Sequence, residues 1–175
     1  MAESLIPKGH LEELKALLRK APNGPVVEVG VYRGGSALAL SSELRGRELH
    51  LFDTFKGIPE KTPHLDGIDV GHFSDVSLDE VKALLPFAHF HVGFFPDTLP
   101  DDLTDLSFVH IDCDQYETCK NAIEKLWPRL LPGGVMAFDD YPFQGIKKAI
   151  HDYFQVEILF TELKIAHVIK KQGVN

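Results

Sequence analysis

Residues 106–141 read LSFVHIDCDQYETCKNAIEKLWPRLLPGGVMAFDDY, and the fold follows from how this run divides. Leu106–Ile111 is an apolar run of strand length that ends in two carboxylates, Asp112 and Asp114. Ala122, Ile123, Leu126, Trp127 and Leu130 then recur at helical spacing, which predicts a helix of about three to four turns. Pro132-Gly133-Gly134 is expected to break it. Val135–Phe138 reads as a second buried strand, ending in Asp139-Asp140. A strand–helix–strand unit implies parallel strands joined by a right-handed crossover. Parallel neighbours lie ~4.8 Å apart with their carboxyl ends on one edge. The acids therefore converge where open α/β sheets bind ligands.

Such a convergence is costly. Carboxylates a few ångströms apart raise one another's pKa unless protons or a cation neutralise them. An all-oxygen cluster suits a hard divalent ion such as magnesium. Taken singly, Asp112 reads as a helix cap, Asp114 as a first-turn residue near the positive dipole end and Asp139-Asp140 as a turn. Taken together at adjacent strand ends, Asp112, Asp139 and Asp140 read as metal ligands.

The remaining bulk properties narrow the class. A chain of 175 residues with 44% hydrophobic residues is long enough to build one domain, residues 1–175, without staples. A mean hydropathy of −0.06 is that of a soluble globular protein. The net charge of −8 argues against non-specific nucleic-acid binding. Cys113 and Cys119 match neither a zinc pattern nor a disulfide framework, so reduced thiols and a cytoplasmic location are expected. The first twenty residues contain early acids and no unbroken apolar run, so neither a signal peptide nor a membrane span is expected. The oligomeric state, a homo-oligomer included, is left open.

In chain order, residues 1–25 hold an amphipathic helix, His10–Lys20, with Leu11, Leu14, Leu17 and Leu18 on one face. Val26–Val31 reads as a buried strand, and Gly34-Gly35-Ser36 opens a helix through Leu44. A glycine turn at that junction lets backbone approach a ligand and aims helix N–H groups at it. Its pattern, E-x-G-x-x-x-G-G-S, is neither the dinucleotide fingerprint nor a Walker loop. Glu28 lies inside an apolar strand and needs a partner, either a ligand or a cation such as Arg33 or Lys56. Glu48–Phe52 is a strand ending in Asp53, the position from which an acid grips a ribose diol.

Residues 54–76 carry glycines and prolines without a period and read as a substrate-side loop. Ser77–Leu85 is a short helix with Ser77 as cap and Glu80 completing the box. Phe90–Phe94 reads as a strand, with Phe94 and Phe95 either covering a flat base or belonging to the core. Gly145–Phe154 is helical, and Val156–Thr161 with Ile165–Ile169 reads as an antiparallel hairpin at the sheet edge. None of the nine histidines is spaced as a metal pair on a helix. His110 reads as a hydrogen-bonded core residue.

Five segments in order, E-V-G-V-Y-R-G-G-S, D-T-F-K-G-I-P, G-F-F-P-D-T-L-P, H-I-D-C-D-Q-Y-E-T and P-G-G-V-M-A-F-D-D-Y, together resemble the macrocin O-methyltransferase family. The similarity runs from about Val26 to Phe154. It implies an α/β, Rossmann-like class I methyltransferase fold, a mostly parallel seven-strand sheet with a C-terminal antiparallel hairpin and helices on both faces. It implies S-adenosylmethionine as cofactor and a small-molecule hydroxyl acceptor, often a sugar of a natural product. By position, Glu28, Gly30 and Ser36 would surround the methionine moiety, Asp53 would meet the ribose, and Asp75 or the Gly93-Phe94 turn the adenine. Val31, Gly34, Gly35, Thr54 and Phe55 would also belong to the cofactor site. Asp112, Asp139 and Asp140 would hold magnesium, Asp112 also bordering the cofactor, and Asp114 is the candidate base. The alternatives are a cofactor-binding protein of this fold without efficient catalysis, an NAD-dependent oxidoreductase and a metal-dependent hydrolase. The altered glycine spacing disfavours the second, and the lack of a suitably spaced histidine the third.

Overall fold

The computed structural model describes residues 4–59, 65–155 and 165–171. The elements run α1 (Lys8–Lys20), β1 (Val26–Val29), α2 (Gly35–Ser41), β2 (Leu49–Asp53), α3 (Leu78–Leu84) and β3 (His89–Val92). They continue with β4 (Leu106–Ile111), α4 (Tyr116–Leu126), β5 (Leu130–Phe138), α5 (Gln144–Phe154) and β6 (Ala166–Ile169). One sheet forms in the order β3-β2-β1-β4-β5-β6. The first five strands are parallel and β6 runs antiparallel to β5. The order reverses between β1 and β4, and a crevice opens beyond the carboxyl ends of strands at such a switch point.

The period of two along each strand divides the core between two helical layers. Val26, Leu49, Leu51, Phe108, Val135 and Ala137 pack with Leu14, Leu17 and Leu18 of α1 and Ala37 and Leu40 of α2. Val27, Phe52, Val109, Ile111, Met136 and Phe138 pack with Ala122, Ile123 and Leu126 of α4 and Ala149 and Ile150 of α5. Central strands covered on both faces become continuous apolar runs, as in β4, whose six residues are all buried.

The structure departs from the sequence pattern around residue 130. Helix α4 ends at Leu126, because Pro128 has no N–H with which to continue the ladder. Leu130 therefore belongs to β5, where it pairs with Leu106. The Pro132-Gly133-Gly134 run lies within that strand instead of separating helix from strand. A register irregularity between Leu106 and Phe108 absorbs it, with Gly133 at φ +82°.

The start of α4 differs too. Gln115 is its N-cap residue and makes no side-chain cap bond. The Tyr116 N–H instead donates to Asp66 Oδ1 at 2.8 Å, an acceptor brought in from the distant loop, so the cap is not Asp112. Ser77 does cap α3, accepting from the Glu80 N–H at 3.3 Å. The described residues form six strands. The expected strand Val156–Thr161 lies outside them, and β6 makes its antiparallel pairing with β5. No helix among the described residues is long and apolar enough to cross a membrane.

Candidate active site at the carboxyl edge of the sheet

Backbone hydrogen bonds continue past the ends of the central strands and set their tips side by side. Gly30 N–H donates to Phe52 O at 2.9 Å, Asp112 N–H to Val29 O at 2.8 Å, and Asp139 N–H to Ile111 O at 2.9 Å. Gly30 sits at φ +89°, and a Cβ there would run into the Asp112 carbonyl oxygen. Only glycine lets the β1 turn lie this close to the β4 tip.

The acids gather as the parallel topology requires. One carboxylate oxygen from each of Asp112, Asp139 and Asp140 lies within 4.8 Å of the others. Asp114 and Asp140 hold left-handed backbone at φ +58° and +52°. Aspartate tolerates that region better than most residues. Burial, then the neighbouring Asp139 and Asp140, pushes the Asp112 carboxyl well above its ordinary value. Burial and then Asp114 and Asp139 push Asp140 up to about 9. Burial also raises Asp114, against the lowering by the hydrogen bond that it accepts from protonated Asp140.

These acids line one side of a crevice of about 290 Å³, near the lower end of the roughly 300–1,000 Å³ usual for small-molecule sites. Gly30, Val31, Gly35 and Ser36 of the glycine turn line it, with Asp53 and Thr54 from the β2 tip and Gly93 and Phe94 from the β3 tip. Ser4–Pro7, ahead of α1, form part of the wall. Phe95 reaches the crevice too but is largely core, its ring edge-on to Phe52 at 5.4 Å.

Four candidate residues are not among the lining. Glu28 is buried, its Oε1 2.9 Å from His110 Nδ1, so its partner is His110 and neither Arg33 nor Lys56. Gly34, at φ +77°, is the N-cap residue of α2. Phe55 packs in the core near Phe90. Asp75 stands at the rim, accepting from Tyr32 Oη at 2.8 Å and from Arg33 at 2.6 Å. The Tyr32 hydrogen bond, then Arg33, holds its carboxyl below the usual value. Asp53 has a second task besides lining the crevice. Its Oδ2 accepts from the Val31 and Tyr32 N–H groups at 2.7 and 2.9 Å, and its Oδ1 from Phe55 N–H at 2.7 Å. It thereby ties the β1 turn to the β2 turn.

Two residues escape the sequence reading. His10 brings its Nδ1 to 3.8 Å from Asp139 Oδ1, linking α1 to the acid cluster. Periodicity reads it only as the first residue of an amphipathic helix. Asp66 reaches α4 across a long loop, and no local pattern foretells that contact.

The profile of the macrocin-O-methyltransferase (TylF) family matches residues 1–170. The 8-demethyl-8-(2,3-dimethoxy-alpha-L-rhamnosyl)-tetracenomycin-C 4'-O-methyltransferase of Streptomyces olivaceus is 33% identical over 160 residues, 80% of this chain and 61% of that protein. The O-methyltransferase NovP superposes with a TM-score of 0.79 at 24% identity, over 98% of this chain and 84% of that one. The O-methyltransferase TomG of Streptomyces achromogenes, crystallised in complex with SAM, gives a TM-score of 0.59 at 16% identity over 97% and 82%. Likeness at that distance speaks for the fold. The chain spans about three fifths of the length of the curated relatives it matches.

Proposed function

Because the chain belongs to the macrocin-O-methyltransferase (TylF) family, we propose that it methylates a hydroxyl of a sugar or other small natural product, using S-adenosylmethionine. One observation carries this reading: the acids of adjacent strand tips and the glycine turn of β1 line the same crevice.

The residues present suit both groups. Without a cation the acid cluster holds protons, Asp140 up to about 9, so this all-oxygen donor set calls for positive charge and fits a hard dication such as magnesium. Asp112, Asp139 and Asp140 would hold it, and it would supply charge that lowers the pKa of an acceptor hydroxyl and orients it. S-adenosylmethionine supplies an electrophilic methyl on sulfur. Gly30, Gly35 and Ser36 offer backbone and a hydroxyl to its amino-acid end, and Phe94 at the Gly93 turn offers a flat apolar surface for its base. A carboxylate has about four lone-pair sites, and three of those on Asp53 are taken by backbone N–H groups. One remains for a ribose hydroxyl.

In the reaction the acceptor oxygen forms a bond to the methyl carbon as the carbon–sulfur bond breaks. Asp114, which lines the crevice beside the trio, would take the hydroxyl proton. The crevice walls would hold acceptor and donor together, which the in-line displacement requires. Calorimetry with S-adenosylmethionine and S-adenosylhomocysteine, each with and without magnesium, tests the reading. Both should bind in a 1:1 ratio, and Asp139→Ala should change either affinity by no more than a few fold. The same variant should abolish release of S-adenosylhomocysteine with a panel of 6-deoxysugar glycosides. Absence of binding by either nucleoside would overturn the assignment, and full turnover in excess EDTA would remove the metal from it.

A further inference from the structure

A second cluster of ligating side chains lies at the amino ends of β2 and β3, on the rim opposite the crevice. Alternation puts Glu48, His50 and Phe52 on one face of the β2 segment and His89 and His91 on the same face of β3, with His50 and His89 as cross-strand partners. His50 Nδ1 lies 3.0 Å from His91 Nε2, and His50 Nε2 lies 3.4 Å from Glu48 Oε2. The His50 and His89 rings stack at 4.7 Å. One ligand atom from each of Glu48, His50 and His89 falls within 4.8 Å of the other two. Asp53 lies five residues beyond Glu48 along the β2 segment, roughly 16 Å of extended chain, so this cluster is apart from the acid trio.

We propose that Glu48, His50 and His89 bind a borderline divalent transition-metal ion, zinc foremost, with His91 holding His50 in the ligating tautomer. Two imidazoles and a carboxylate form a donor set suited to such ions, whereas the all-oxygen trio prefers harder ones. A metal-bound imidazole donates its other ring N–H to an acceptor, and His91 Nε2 is in place to receive it from His50 Nδ1. That tautomer leaves the His50 Nε2 lone pair facing the Glu48 carboxylate, an arrangement that a cation between them relieves.

Zinc bonds of ~2.0–2.1 Å put tetrahedral ligands about 3.4 Å apart. The exposed Glu48 and His89 would therefore swing inward by about an ångström around the buried His50. The adjoining cleft, lined by Pro25, Pro100, Asp102 and Leu103, leaves room for water as a fourth ligand. Asp102 adds negative charge beside His50. Such a site would clip the edge strand β3 to β2, and it is independent of the methyl-transfer reading.

The test uses the full chain, stripped with chelator and then saturated with magnesium to fill the acid trio. Cobalt(II) is titrated in and followed by visible absorption, then displaced with zinc. One equivalent should bind with the intense bands of a four-coordinate ion. His89→Ala and Glu48→Gln alter exposed side chains outside the crevice. Each should weaken cobalt and zinc binding roughly tenfold or more while leaving circular dichroism and methyl transfer unchanged. Isotherms unchanged in both variants, weak six-coordinate bands, or binding that is lost in Asp139→Ala would each overturn the proposal.

Discussion

Glu28 and His110 face each other across β1 and β4, Oε1 to Nδ1 2.9 Å, with neither side chain reaching solvent. The two are register partners, two residues before Gly30 and Asp112 respectively. A buried polar pair thus underlies the junction that brings the glycine turn against the acid cluster. Glu28 Oε2 and His110 Nε2 have no hydrogen-bond partner among the described residues, so the pair depends on its single shared contact.

Removing one member should therefore cost more than replacing both. His110→Ala leaves the Glu28 carboxyl buried without that contact and should destabilise by about 3 kcal/mol. The double variant Glu28→Leu/His110→Phe should recover most of the loss. Urea denaturation of the single and double variants measures both. Equal destabilisation by the two would show that the pair is not the source.

The acid cluster sets how the metal-free protein responds to pH. Asp112, Asp114 and Asp140 are all raised in the folded state, so folding retains protons that the unfolded chain releases above about pH 4. Their contribution to stability is full below that pH and is lost as pH rises toward about 9, where Asp140 titrates. In EDTA, Tm should fall from pH 6 to pH 9 by at least ~4 °C, and millimolar magnesium should restore more at pH 9 than at pH 6. Asp140→Asn should flatten the profile. A Tm independent of pH in EDTA would contradict the account.

Asp53 separates two roles that the sequence merges. As a ribose ligand alone, its replacement would weaken S-adenosylmethionine without touching the cofactor-free protein. Because it accepts three backbone N–H groups, Asp53→Asn should also lower the cofactor-free Tm, by about 2–4 °C per kcal/mol lost. The amide turns a donor toward N–H groups that need acceptors. Differential scanning fluorimetry with and without S-adenosylmethionine distinguishes the two cases.

Glycine matters for different reasons along the chain. Gly30→Ala drives a methyl into the Asp112 carbonyl, and should abolish both S-adenosylmethionine and magnesium binding by calorimetry. Gly46 also has positive φ, +86°, but nothing within 4 Å. Gly46→Ala should cost only about 1 kcal/mol of backbone strain and leave both affinities unchanged.

Much of this architecture is legible in the residues themselves. Buried parallel strands are continuous apolar runs, and their carboxyl ends share an edge, so Asp112, Asp139 and Asp140 meet without any knowledge of contacts. What escapes the reading is long-range. Leu130 continues the helical spacing, yet Pro128 ends the helix first and the residue joins β5. Asp66 caps α4 from a loop, and His10 reaches Asp139 from another layer. The histidines at 50, 89 and 91 escape because helical spacing is the wrong template for them: their period is two, across neighbouring strands. Glu28 shows the opposite limit, since its need for a partner is evident from the sequence but the identity of that partner is not.

The loop between Asp66 and Asp75 is fastened at both ends. Asp66 is bonded to the start of α4, and Asp75 is clasped by Tyr32 and Arg33. The span between them has Phe73 against the crevice and is tied midway to Ile58 by the Ile58 N–H to His72 O and Gly71 N–H to Ile58 O bonds, both 2.9 Å. Exchanging residues 67–74 for those of a relative should leave both end clips, the glycine turn and the strand-tip acids in place. On the proposed function, acceptor preference would then be free to diverge while the residues that face the methyl donor stay constant.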